Sequence, residues 1–211
     1  MKKVSFSFIF MMSVLFVFVL SSKAHASSES VTFNTYLPKK GDIGINAEIG
    51  PTYPGTNVYL MPGDIIHNPK STSTYFVGHV AIVGPDLKLR HSHPYGPGIS
   101  ETLELYMSNF APGDKFTILR PRGGGGAAAA AWSKNNVNNI RAYNFIPGVR
   151  VVGDNYCSKF VWQAYYFGEH RELVSNAPYS DLVTPIGLQY VYPSDILNSP
   201  ILAKQGTFYR K

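Results

Sequence analysis

The chain has 211 residues, with 19 Lys and Arg against 13 Asp and Glu, a formal net charge of +6. That length suits one domain, and 45% apolar residues suffice for a sizeable core. No dense Lys/Arg stripe appears, which argues against a nucleic-acid partner. A lone cysteine excludes an internal disulfide.

The N-terminus has the three parts of a secretory signal: the basic pair Lys2-Lys3, an apolar run from Val4 to Leu20, and the small-x-small site Ala24-His25-Ala26. Cleavage after Ala26 is expected, leaving 27–211 as a single domain. Lys2, Lys3 and Lys23 would leave with the leader, lowering the net charge from +6 to +3. An uncleaved anchor is the alternative, because the apolar run is near the lower length limit for a span. A secreted, extracellular or cell-wall associated monomer is expected, with loose attraction to an anionic wall or membrane surface. Ser27 to Leu60 is punctuated by glycine and proline and reads as turns and short extended pieces.

Met61-Pro62-Gly63-Asp64 reads as a turn, with Asp64 a turn residue, followed by a short strand at Ile65-Ile66-His67. His79 to Gly84 and Leu87 to His93 form two strands around Pro85-Asp86. In the second, Leu87, Leu89, His91 and His93 alternate with Lys88, Arg90 and Ser92, so period two puts both histidines on one face. A turn centred on Pro85 sets His79 opposite His91, and a longer turn sets it opposite His93. Directly paired residues share a face, so His79 gains an inward histidine partner in either register.

Pro94 to Gly98 reads as a loop, and Glu101 to Phe110 as a short helix or irregular segment. Lys115 to Arg120 is a third strand. Gly123 to Gly126 is a flexible run without the Gly-Lys-Ser/Thr ending of a phosphate loop. Ala127 to Asn138 is helical, since alanine is the strongest helix former, and Asn144 to Gly153 is a loop. In Tyr156-Cys157-Ser158-Lys159-Phe160-Val161-Trp162-Gln163-Ala164-Tyr165-Tyr166, apolar residues recur at spacings of three and four, the mark of a helix. Asp154 or Asn155 would cap it, putting Cys157 in the first turn. Free N–H groups and the helix dipole there favour an accessible, low-pKa thiolate. After Phe167 the chain is rich in proline and reads as a wrap over the core.

The YCSKFVWQAYY run resembles the nucleophile motif of the NlpC-type papain-like cell-wall hydrolases, in which a Cys-Ser pair opens a helix. With GHVAIV (Gly78 to Val83) ahead of it, the order resembles the circularly permuted branch, the YiiX/YycO-like proteins, which are related to lecithin:retinol acyltransferases. The resemblance spans roughly Met61 to Phe167. It implies an α+β, circularly permuted papain-like fold: a small antiparallel sheet packed against the helix that carries the cysteine at its N-terminus. It also implies a site of Cys157 as nucleophile, His79 as base and His91 as orienter, with His93 second in line for that role. Ser158 and Tyr156 are the candidate substrate contacts; Tyr156 stands where the family usually has Asp.

The expected function is a secreted cysteine peptidase or amidase acting on cell-wall peptide amide bonds, without cofactor or metal. Cys157 attacks as thiolate, His79 carries the proton, and the Cys157 N–H is an oxyanion donor; the second donor is unassigned. Two rival readings share the residues: a thiol acyltransferase or esterase acting on a lipid acyl substrate, and a non-catalytic cell-surface binding module. A metal site of His79, His91, His93 and Cys157 is a third, on weak spacing.

Overall fold

The computed structural model describes residues 51–74, 77–146, 148–174 and 190–211. The expected leader, most of 27–60 and much of the C-terminal wrap lie outside them. The strands, in chain order, are β1 (Ile65–Asn68), β2 (His79–Val83), β3 (Leu89–Ser92), β4 (Gly98–Glu101), β5 (Lys115–Pro121), β6 (Ala142–Tyr143), β7 (Asp154–Asn155) and β8 (Leu202–Tyr209). The helices are α1 (Leu103–Ser108), α2 (Ala127–Asn136), α3 (Cys157–Gln163) and α4 (Pro193–Leu197), and a wider π-type turn at Ala164–Gly168 continues α3. The fold is α+β. Six strands form one antiparallel sheet in the order β4-β3-β2-β1-β5-β8, and β6 pairs with β7 in parallel.

Both faces of the sheet are covered. Ile65, Val80 and Ile82 pack with Phe160 and Val161 of α3. Ile66, Ala81 and Leu89 pack with Leu103 and Tyr106 of α1. Neighbours in sequence thus fall into different cores, as the two-residue period of a strand dictates. This is why Arg90 and Ser92, on the face opposite the two histidines, are buried as well: the α3 side of the sheet is covered too. Arg90 makes a two-pronged pairing with Asp86, at 2.8 Å to each carboxylate oxygen.

The Met61-Pro62-Gly63-Asp64 turn is fixed on three sides. Asp64 is fully buried and accepts from the Tyr53 hydroxyl at 2.9 Å, the Met61 N–H at 3.1 Å and the Arg120 guanidinium at 2.6 Å. Tyr165, on the turn after α3, donates to the Gly63 carbonyl. Gly63 has φ +87°, and a Cβ there would stand 2.4 Å from the Cα of Gly126, so only glycine fits. The Gly123–Gly126 run is held rather than loose. Glu169 Oε1 accepts from the N–H groups of Gly126 and Ala128 at 2.7 and 2.9 Å, and Arg171 donates to the Gly124 carbonyl at 2.8 Å. The carboxylate sits at the N-terminus of α2, where the helix dipole favours it.

Candidate active site

The hairpin takes the longer turn: Ile82 pairs with Arg90 and Val83 with Leu89. Leu87 at φ +59° closes it. Continued, that register would oppose His79 to His93, yet the ladder ends at Ile82 and the strands part beyond it. In the space so opened, His79 Nε2 reaches diagonally to His91 Nδ1 at 2.9 Å. The partner of His79 is therefore His91, but not through the direct pairing that the shorter turn would give. The second link is also diagonal. His91 opposes Ile99 of β4, and its Nε2 meets Glu101 Oε1, two residues on, at 2.9 Å. Diagonal cross-strand neighbours are within reach of long side chains.

This chain of contacts fixes the tautomers. A carboxylate only accepts, so His91 Nε2 carries the proton. In a neutral His91 ring Nδ1 accepts, the His79 Nε2–H donates to it, and His79 Nδ1 is left as the basic nitrogen. Asn109 Nδ2 donates to the same Glu101 oxygen at 3.2 Å. The Tyr106 ring packs edge-on against His91, with centroids 5.2 Å apart, and its hydroxyl is tied to Asn68 Oδ1 at 2.8 Å. Burial holds His79 well below the usual histidine range, helped by the neighbouring His91, His93 and His67, so it rests neutral at pH 7.

Cys157 opens α3, but the expected cap is absent. Tyr156 is the N-cap position and makes no side-chain cap bond. Asn155 Oδ1 accepts from the Tyr156 N–H, and Asp154 Oδ1 accepts from Asn144 Nδ2. The thiol is buried, 2% exposed. Burial pushes it above the usual cysteine value, and the Val80 N–H, the Ser158 N–H and the Tyr143 hydroxyl offset this only in part. The accessible low-pKa thiolate expected from the helix terminus is thus corrected: the thiol is buried, and desolvation outweighs the donor groups around it. The donors follow from the fold. The Val80 amide lies beyond the end of the β2–β3 ladder. Tyr143 is brought up by the β6–β7 pairing, Tyr143 beside Asn155, two residues before Cys157.

Ser158 and Tyr156, expected to hold substrate, bind the protein's own backbone. The Ser158 hydroxyl donates to the Val191 carbonyl at 2.6 Å, and the Tyr156 hydroxyl accepts from the Val191 N–H at 3.0 Å. Together they strap residues 190–193 across the start of α3. Cys157, His79, His91, Tyr143 and His93 all line one cleft of about 620 Å³. Its remaining wall is mostly apolar, with Val77, Tyr95, Phe110, Phe145, Tyr156 and Tyr192. Sequence reading missed Glu101 and Tyr143. The alternation of Ile99 and Glu101 around Ser100 is a weak strand signal; nothing local marks Tyr143.

Among the described residues no group of three or more His, Cys, Asp or Glu side chains is placed to hold a metal ion. Both ring nitrogens of His91 are already engaged, so the four-residue set weighed from sequence does not fit one.

A family model described as lipoprotein N-acylation protein LnsA-like matches residues 1–184. The chain belongs to this LnsA-like family. Every residue of the relay, with Tyr143 and Cys157, falls inside the match. The LnsA-like assignment points to an enzyme of the acyltransferase or hydrolase type. Among solved structures the chain is similar in fold to the metalloprotein YiiX of Escherichia coli O157:H7, at 17% identity and a TM-score of 0.51, over 71% of this chain and 98% of that one. No curated protein matches it.

Proposed function

We propose that this LnsA-like chain is a thiol acyltransferase that takes an acyl group from a lipid ester onto Cys157 and passes it to an amine. The observation that carries this is the cleft: an apolar trough lined by a buried thiol and by the hydrogen-bonded His79–His91 pair, with Glu101 behind it. Such a trough suits a hydrocarbon chain better than a polar wall peptide. Membership of a family of lipoprotein N-acylation proteins supports the same chemistry.

In the first step His79 Nδ1 takes the thiol proton as the sulfur attacks the ester carbonyl. His91 holds the His79 ring in register and, with Glu101 behind it, stabilises the imidazolium that forms. The oxyanion is met by the Cys157 N–H and by the Tyr143 hydroxyl, which supplies the second donor. The C–O bond breaks, His79 returns the proton to the leaving alkoxide, and a thioester remains. In the second step an amine attacks the thioester, the C–S bond breaks, and the amine's proton returns to sulfur through His79. Water in place of the amine gives hydrolysis. We also propose the circularly permuted papain-like arrangement, supported by the histidine strand preceding the cysteine helix, and export directed by residues 1–26.

The test is intact-mass analysis of the purified chain after incubation with phospholipid vesicles, and separately with peptidoglycan. The expected result is a hydroxylamine-labile acyl adduct on Cys157, transferred to an added amine-bearing lipopeptide and absent in Cys157→Ala. Release of peptides from peptidoglycan with no acyl adduct would replace this reading with the cell-wall amidase.

A further inference from the structure

The mouth of the cleft exposes large apolar side chains. Val77 and Tyr95 are 55% and 77% exposed, Phe145 and Tyr192 are 48% and 47% exposed, and all four line the cleft. Among the described residues that line it there is no Asp, Glu, Lys or Arg. These rings are ordered by their neighbours. Phe145 stacks on Tyr190 with centroids 4.6 Å apart and planes 16° apart, and it packs against Tyr156 at 4.6 Å and Tyr192 at 5.7 Å. Tyr95 packs against His93 at 5.6 Å.

Exposed apolar groups gathered around an opening mark a recognition surface. Tyrosine rings, with an apolar body and a polar tip, favour the headgroup level of a bilayer. The rings here surround the entrance to an uncharged trough, so whatever they contact is continuous with what enters it. A lipid bilayer meets both demands at once: it covers the rim and it supplies the chain. We propose that the rim formed by Val77, Tyr95, Phe145 and Tyr192 seats the folded domain on a lipid bilayer, so that an acyl chain passes into the cleft without crossing water. This builds on the acyl-transfer reading, since the donor is taken to be a lipid.

The test places tryptophan at Phe145 or Tyr95 in the Cys157→Ala background, so that no lipid is consumed. Leu105→Trp serves as control; Leu105 lies on α1, 55% exposed and outside the cleft. Each full-length variant is mixed with phosphatidylcholine/phosphatidylglycerol vesicles, plain or with brominated acyl chains. The two rim tryptophans should shift to the blue and lose emission to the brominated chains, and the control should do neither. Equal quenching at all three positions, or none, overturns the proposal. A blue shift that needs no vesicles and grows with protein concentration also overturns it, making this face a contact between copies of the chain. Rim quenching in a protein whose active form makes no thioester would leave the docking standing and remove the acyl-transfer reading; a thioester without rim quenching would do the reverse.

Discussion

In the proposed acyl transfer, a neutral thiol and a neutral imidazole lining one cleft determine what each side chain must do. The proton moves only when substrate arrives, so the base is indispensable and the groups behind it tune it. Cys157→Ala should abolish turnover, and His79→Ala should lower it by about 10²- to 10⁴-fold, the range for loss of a general base. Their double mutant should be no worse than Cys157→Ala, because they act as a unit. Glu101→Gln removes a charge-assisted hydrogen bond worth about 1.5–3 kcal/mol, which corresponds to roughly ten- to hundredfold in turnover; His91→Ala should cost at least as much. Steady-state rates of thioester formation check the series, and an unchanged Glu101→Gln would remove Glu101 from the relay. The raised thiol gives a second expectation: iodoacetamide should label Cys157 appreciably only above about pH 8.5, the unperturbed cysteine value. Rapid labelling at pH 6 would mean that a thiolate pre-exists. The helix terminus alone pointed the other way, because desolvation depends on residues far apart in sequence.

At the scale of elements, the strands and the cysteine helix were legible because apolar periodicity is local. The register was not. The alternation of Leu89, His91 and His93 put the right residues on one face, yet the contact to His91 arises where the β2–β3 ladder has already ended. Turn length and strand splay are set by packing on both faces. Glu101 was hidden for a similar reason, since β4 is four residues long and runs almost directly into α1. The Pro62-Gly63-Asp64 turn, by contrast, announced itself, and its stringency can be measured. Gly63→Ala forces a side chain into a left-handed backbone and against the Gly126 backbone, and should destabilise the protein by about 2–3 kcal/mol or more. The midpoint of urea unfolding reads this, and a shift below about 0.5 kcal/mol would show that the two backbones can separate freely.

For the whole molecule, buried histidines make stability depend on acidity. His67 is buried, its Nδ1 lacks a partner, and desolvation lowers it to about 4; His79 is lowered as well. Above about pH 6.5 both are neutral folded or unfolded, and no penalty arises. As pH falls from about 6.5 towards 4, the unfolded chain binds protons that the folded chain refuses, so stability drops. His67 alone should contribute a loss on the order of 2–3 kcal/mol by pH 4. Urea midpoints measured from pH 7 to pH 4 check this, and His67→Phe should flatten the slope. The same scale holds the leader: N-terminal sequencing of the exported protein should begin at Ser27, and an intact N-terminus in the membrane fraction would favour the anchor.

A protonated, buried thiol also has a chemical advantage against oxidation. Peroxide attacks thiolates, and a sulfenic acid is rescued most readily by a second cysteine. This chain has none, so each oxidation event at Cys157 would end an enzyme's working life. Holding the sulfur neutral and dry until a substrate fills the cleft trades some speed of attack for durability against oxidants.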